Sequence, residues 1–262
     1  MENKEKPIGV FDSGIGGLTV LDKLIKHLPN EHYLYIGDLK NSPYGEKTKE
    51  QIIEFTKNIM DYFVLKGVKM VVVACNTASS FIEEIQNDYD IPIVTVMDAA
   101  IKSIDKQKNI LLAATKGAID AGIYVEKIKK ANNEANIIGV ACRDIVPAIE
   151  NKDLKKNEKQ NIVDKYIKNF RNKDIDLLIL GCTHYPILKD EFQKSIGEDV
   201  NVFDPAENVA KIVYEHLKEK GLLRDYIGEV NLIVTKDKER FEKNVKKLFP
   251  KIKIKEIVEK KW

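Results

Sequence analysis

Long apolar runs are missing from this sequence of 262 residues; none reaches the roughly 18–20 residues that a membrane-spanning helix requires. An excess of either charge is missing too. The formal net charge is +2, from 43 basic and 41 acidic residues, which argues against a dedicated nucleic-acid binder, since phosphates are neutralised by a basic stripe. Cysteine is scarce: three residues, an odd number, with no CxxC spacing, the pattern of reduced thiols in a cytoplasmic protein. Zinc-ligand spacing is absent as well, so no metal is expected. There is no low-complexity tract and no repeat of roughly 20–50 residues, which excludes solenoids and fibrous arrays. The opening MENKEKP runs directly into a predicted strand, so no secretory leader is expected.

What is present is the composition of a soluble globular protein, 44% hydrophobic and 32% charged, of a length that favours two small domains over one. Apolar, β-branched segments at 8–11, 33–37, 69–75, 92–96, 110–115, 136–142, 176–182, 200–204, 230–235 and 252–257 predict strands. Several are continuous apolar runs, as in parallel strands covered on both faces. Helical stripes lie between them, such as Leu18, Leu21, Ile25 and Leu28, or Ile52, Phe55, Ile59 and Phe63. Strands alternating with helices predict an α/β fold built from right-handed crossovers.

Two segments share one plan. VVVACNTAS (71–79) and LILGCTHYP (178–186) each run from a buried strand to a cysteine and on to polar side chains and a helix start. Cys75 and Cys182 lie 107 residues apart, about the length of one small α/β domain. Because open α/β sheets bind ligands at the carboxyl ends of their strands, the duplication predicts two pseudo-symmetric α/β domains facing one cleft. The expected limits are 1–97 with 206–262 for the first domain and 98–205 for the second.

Four segments could carry chemistry. In FDSGIGGLTV (11–20), Asp12 ends a strand and a Gly-rich turn leads into a helix near Gly17 or Leu18, a backbone arrangement suited to an anion. The spacing is not that of the dinucleotide fingerprint, so no nucleotide cofactor is expected. In NSPYGEKT (41–48), Pro43 and Gly45 fix a turn that presents Tyr44 and the Gly45 N–H at the surface, with Thr48 as the next helix's cap. Cys75 and Cys182 each end a strand before a polar loop, where a helix start lowers a thiol's pKa. Asn76 and Thr77 follow the first, Thr183 and His184 the second. Cys142 reads as a small buried hydrophobe. Of the four histidines only His184 adjoins a candidate thiol; His27, His32 and His216 read as solvated or structural.

Two thiols facing one carbon can invert it: one removes a proton from one side while the other delivers a proton to the opposite side. A thiol, with an ordinary pKa of roughly 8.5, serves in either role. FDSGIGGLTV, PYG, ACNTAS and GCTHYP, in this order, resemble glutamate racemases of the aspartate/glutamate racemase superfamily over about residues 7–215. The resemblance implies a cofactor-independent, PLP-free isomerase with Cys75 and Cys182 as catalytic acid/base residues, the first acting on the D isomer and the second on the L isomer. It implies that Asp12 assists Cys75, that His184 assists Cys182, and that Glu150, ending CRDIVPAIE, lies near that histidine. Ser13, Tyr44, Gly45, Asn76, Thr77 and Thr183 would bind glutamate together with Asp12 and His184. A cytoplasmic homodimer supplying D-glutamate for bacterial peptidoglycan is the implied setting. AATKGAID (113–120) departs from the family's Thr-rich stretch; Thr115 is the candidate carboxylate contact there, in a region that bears on side-chain length. Three other readings stay open: a racemase of aspartate or another acidic amino acid, a Cys182–His184 hydrolase that leaves Cys75 unexplained, and a non-catalytic amino-acid-binding module.

Overall fold

All ten predicted strands form, and they sort into two sheets in which the recorded pairings are parallel. The structure is a computed structural model that describes residues 3–104, 106–151 and 153–261. One sheet combines β1 (Ile8–Asp12), β2 (Tyr33–Gly37), β3 (Met70–Val73) and β4 (Ile93–Thr95) with two late strands, β9 (Val230–Val234) and β10 (Glu256–Glu259), in the order β10-β9-β2-β1-β3-β4. The other holds β5 (Asn109–Ala114), β6 (Asn136–Ala141), β7 (Leu177–Gly181) and β8 (Asn201–Phe203), in the order β6-β5-β7-β8.

The burial pattern explains the continuous apolar runs. Every residue of β1, β3 and β7 is buried, because helices cover both faces. On the first sheet, α1 (Leu18–His27) and α10 (Ala206–Glu219) pack Leu21, Leu24, Val209 and Val213 against one face. The other face receives Ile52, Ile59 and Phe63 of α2 (Lys49–Leu65), whose Thr48 cap forms the reciprocal box with Gln51. On the second sheet, Val163 of α8 (Lys156–Ile167) and Phe192 of α9 (Lys189–Ile196) cover one side. Tyr124 and Ile128 of α6 (Ile123–Ala131) cover the other, with Met97 of α4 (Val96–Ile101), the helix that follows β4.

Strand ends differ from the sequence expectation at three places. The segment 252–257 places the last strand four residues early at its start, since β10 begins at Glu256; Ile252 instead packs into the core. Neither cysteine is a strand residue: β3 stops at Val73 and β7 at Gly181, and the thiols lie just past the ladder. Apolar character continues beyond the last paired residue because those positions stay buried, which is why hydrophobicity overruns the hydrogen-bonded strand.

At the amino ends of the first sheet, away from both cysteines, a buried ion pair fastens four segments. Lys69 precedes β3 and Glu31 precedes β2; their side chains are 2% and 1% exposed and meet at 2.5 Å. The Lys69 ammonium also donates to Lys4 O and Leu222 O at 2.8 Å each, and Glu31 Oε1 accepts from Arg224 N at 3.0 Å.

Candidate active site

The carboxyl ends of β1, β3, β5, β6 and β7 converge on one cavity of about 640 Å³. Asp12 ends β1 and is buried; its Oδ2 accepts from Gly14 N at 3.0 Å and its Oδ1 from Thr183 Oγ1 at 3.3 Å. That second bond ties the first sheet's Gly-rich turn to the loop after β7. Thr19 repeats the tie from α1, donating to Thr183 O at 2.9 Å. A Cβ on Gly16 would stand 2.4 Å from both His184 Nδ1 and Thr183 Oγ1, so this approach needs glycine. Burial pushes the Asp12 carboxyl above its ordinary range, against the opposing pull of His184, the Gly14 and Gly17 amides and Thr183.

Cys75 and Cys182 both line the cavity, 5% and 7% exposed. Cys75 caps the one-turn helix α3 (Asn76–Ser79) and donates to Ser13 Oγ at 3.8 Å. The sequence expectation of a lowered pKa does not hold here. Burial, then the neighbouring Asp12, push this thiol up to about 12, outweighing the Ala78 amide and Ser13. A single helical turn does not offset desolvation.

Cys182 has an imidazole beside it instead of a carboxylate. Its Sγ lies 3.9 Å from His184 Nδ1, and His184 Nε2 lies 2.8 Å from Glu150 Oε1. Glu150 sits on α7 (Ile145–Asn151), behind the imidazole rather than on the cavity wall. Burial alone would discharge the ring, but hydrogen bonds and charge from Cys182 and Glu150 raise His184 to about 10. Because that value lies above the ordinary 6.5, the charged ring contributes stability in full below about pH 6.5, and the contribution is lost as pH rises through about 10. In NMR titrations the His184 ring therefore keeps its proton through neutral pH, and Glu150→Gln moves its titration down by about a unit or more as burial takes over. A His184 titration near 6.5 in the parent protein contradicts the ion pair.

Tyr44 differs from the expectation that the PYG turn presents it at the surface. It is 1% exposed, and its hydroxyl donates to Asp38 Oδ2 at 2.7 Å, where Thr235 also donates to Asp38 Oδ1 at 2.8 Å. Gly45 lines the cavity opposite α5 (Lys116–Ala121). There the backbones nearly touch: a Cβ on Gly117 would fall 2.1 Å from Gly45 O. Ser13, Asn76, Thr77 and Thr183 all reach the cavity, and Asn76 Oδ1 is buried without a hydrogen-bond partner. Thr115 lines it too, but its Oγ1 accepts from Ala118 N at 3.3 Å and caps α5.

Cys142 is buried as expected and also borders the cavity, where burial, then Cys182, push its thiol up to about 12. Sequence reasoning missed Arg143, Lys116 and Lys47 on the cavity wall. The signal was available for the first two, since each follows a strand's carboxyl end within two residues. Among the described residues no group of His, Cys, Asp or Glu is placed to hold a metal ion, and no helix is long and apolar enough to cross a membrane.

Known proteins resemble this chain in sequence and in fold. The family model described as Asp/Glu/Hydantoin racemase matches residues 8–213. Glutamate racemase 1 of Caldanaerobacter subterraneus subsp. tengcongensis is 40% identical over 245 residues, covering 92% of this chain and 91% of that protein. Glutamate racemase of Oceanobacillus iheyensis is 39% identical over 213 residues, 79% of this chain and 77% of its own length. The crystal structure of glutamate racemase from Francisella tularensis in complex with D-glutamate superposes with a TM-score of 0.90 at 32% identity, covering 97% of each chain.

Proposed function

Because this chain belongs to the Asp/Glu/hydantoin racemase family, we propose that it interconverts L- and D-glutamate by proton transfer between Cys75 and Cys182. One observation carries the reading: a thiol from the carboxyl end of each sheet lines the same cavity, and each has its own proton-handling partners. In one direction Cys182 takes the α-proton, the electron pair stays on the α-carbon as a carboxylate-stabilised carbanion, and the Cys75 thiol supplies a proton to the opposite face. In the other direction the roles exchange. Asp12 then accepts the Cys75 proton, for which its raised pKa suits it, while the His184–Glu150 pair supplies a cation beside Cys182. Both thiols are buried, so donors aimed at the substrate's carboxylates act there in a low dielectric.

Ser13, Tyr44, Gly45, Asn76, Thr77 and Thr183 complete the substrate shell in this proposal. The unpartnered Asn76 Oδ1 suits the substrate's ammonium group. We also assign 1–97 with 206–262 and 98–205 as the two domains; strand membership of the two sheets supports this, with residues 1–2, 105, 152 and 262 lying outside the described residues. A cytoplasmic homodimer that supplies D-glutamate for peptidoglycan belongs to the same proposal.

The test is incubation in D₂O with each enantiomer of glutamate and of aspartate, read by polarimetry and mass. Glutamate of either hand should become racemic, with deuterium at the α-carbon of the newly formed enantiomer. Faster turnover of aspartate would reassign the substrate, and binding without α-hydrogen exchange would leave only a binding module.

A further inference from the structure

The helix α11 (Lys238–Leu248) lies outside the four segments that carry the proposed chemistry, yet it touches both sides of the site. Its apolar face belongs to the first sheet: Phe241 and Val245 are buried in that core. Phe241 stacks on Tyr35 with ring centroids 6.5 Å apart, and the Tyr35 hydroxyl donates to Gly14 O at 2.6 Å, inside the Gly-rich turn. Its polar face reaches the second sheet's helix α7. Arg240 Nη2 lies 3.8 Å from Glu150 Oε2, and Asn244 Nδ2 donates to Glu150 O at 3.4 Å. Lys247 pairs with Asp153 just beyond α7. Glu150 is thus held at three atoms: its backbone oxygen and Oε2 by α11, and Oε1 by His184.

We propose that α11 is a strap between the two halves of the molecule, and that Arg240 and Asn244 are positioning residues that aim Glu150 at His184 and, through it, set the charge beside Cys182. The proposal rests on the functional reading above for its kinetic consequence, but not for its structural one. An Arg240 side chain that is half-exposed adds little stability as an ion pair. Its effect lies in orientation: with one carboxylate oxygen of Glu150 held by Arg240, the other is left facing His184. The charged or titratable groups around this imidazole are Asp12 from the first sheet, Cys182 from its own loop and Glu150 from α7, with Arg240 of α11 beyond Glu150.

The test separates positioning from simple electrostatics by sign. Removing a distant cation while the geometry stays fixed raises the His184 pKa; releasing Glu150 lowers it. In Arg240→Gln the His184 ring titration should move down by about one unit. Arg240→Lys should keep the parent value, and Lys246→Gln, which removes only the exposed pair with Glu242, should change nothing. With glutamate as substrate, kcat/KM of Arg240→Gln should fall about tenfold. The basic limb of its pH profile should shift to lower pH, and Asn244→Ala should follow in the same direction. An unmoved or raised His184 titration in Arg240→Gln overturns the strap, whatever the protein's activity. A parent protein that racemises no acidic amino acid overturns the functional reading instead, and leaves the titration as the measure of the strap.

Discussion

Cys75→Ser and Cys182→Ser should each lose racemisation of glutamate by about three orders of magnitude, because a serine hydroxyl neither ionises nor returns a proton in the range where a thiol does. L- and D-glutamate are equally stable, so the forward and reverse values of kcat/KM are equal and must fall together in both variants. Hydrogen exchange without inversion tells the two thiols apart. In D₂O, Cys75→Ser should still exchange the α-hydrogen of L-glutamate through Cys182, and Cys182→Ser that of D-glutamate through Cys75. Cys142→Ala keeps both thiols with their Ser13 and His184 contacts and should still racemise. Near-parent racemisation in both serine variants would sink the two-thiol mechanism. An alkylating agent should inactivate the parent, with glutamate protecting it.

The largest loss of stability is expected far from that chemistry, at the ion pair of Lys69 and Glu31. Glu31→Gln leaves the Lys69 ammonium facing two carbonyls with no counter-charge; Lys69→Met leaves a carboxylate with one amide donor. Either change should cost about 3–5 kcal/mol, because a buried charge loses its partner but not its desolvation. The double variant, Glu31→Gln with Lys69→Met, should lose less than the sum, since no unpaired charge is left. Urea unfolding at fixed pH measures all three. Single variants within about 1 kcal/mol of the parent would mean that water reaches the pair and screens it as it does at a surface.

The fold was readable because parallel strands covered on both faces leave long β-branched runs, and because Gly, Thr and Pro punctuate them. Thr48 is an example, expected and found as the cap of α2. The placement of Cys75 and Cys182 on one cavity was readable through the likeness of their two segments, and that of Glu150 beside His184 through the family resemblance alone. What the sequence hid was burial and pairing across the chain. Tyr44 looks like a turn residue, yet Asp38 draws its hydroxyl inward, six residues away. The raised pKa of Cys75 depends on burial and on Asp12, 63 positions upstream, neither of which is a local signal. Arg240 carries no motif at all; its contact with Glu150 exists only once α11 has crossed from one sheet to the other.

The strand order β10-β9-β2-β1-β3-β4 has a further consequence. As a ribosome releases this chain, β5 to β8 can all assemble before β9 emerges, whereas β2 shows an unpaired edge until residues 230–234 arrive. An open parallel edge is where nascent chains stick to one another. The sheet that bears Cys75 is therefore completed after the sheet that bears Cys182, and its β2 edge is closed only when synthesis is nearly finished.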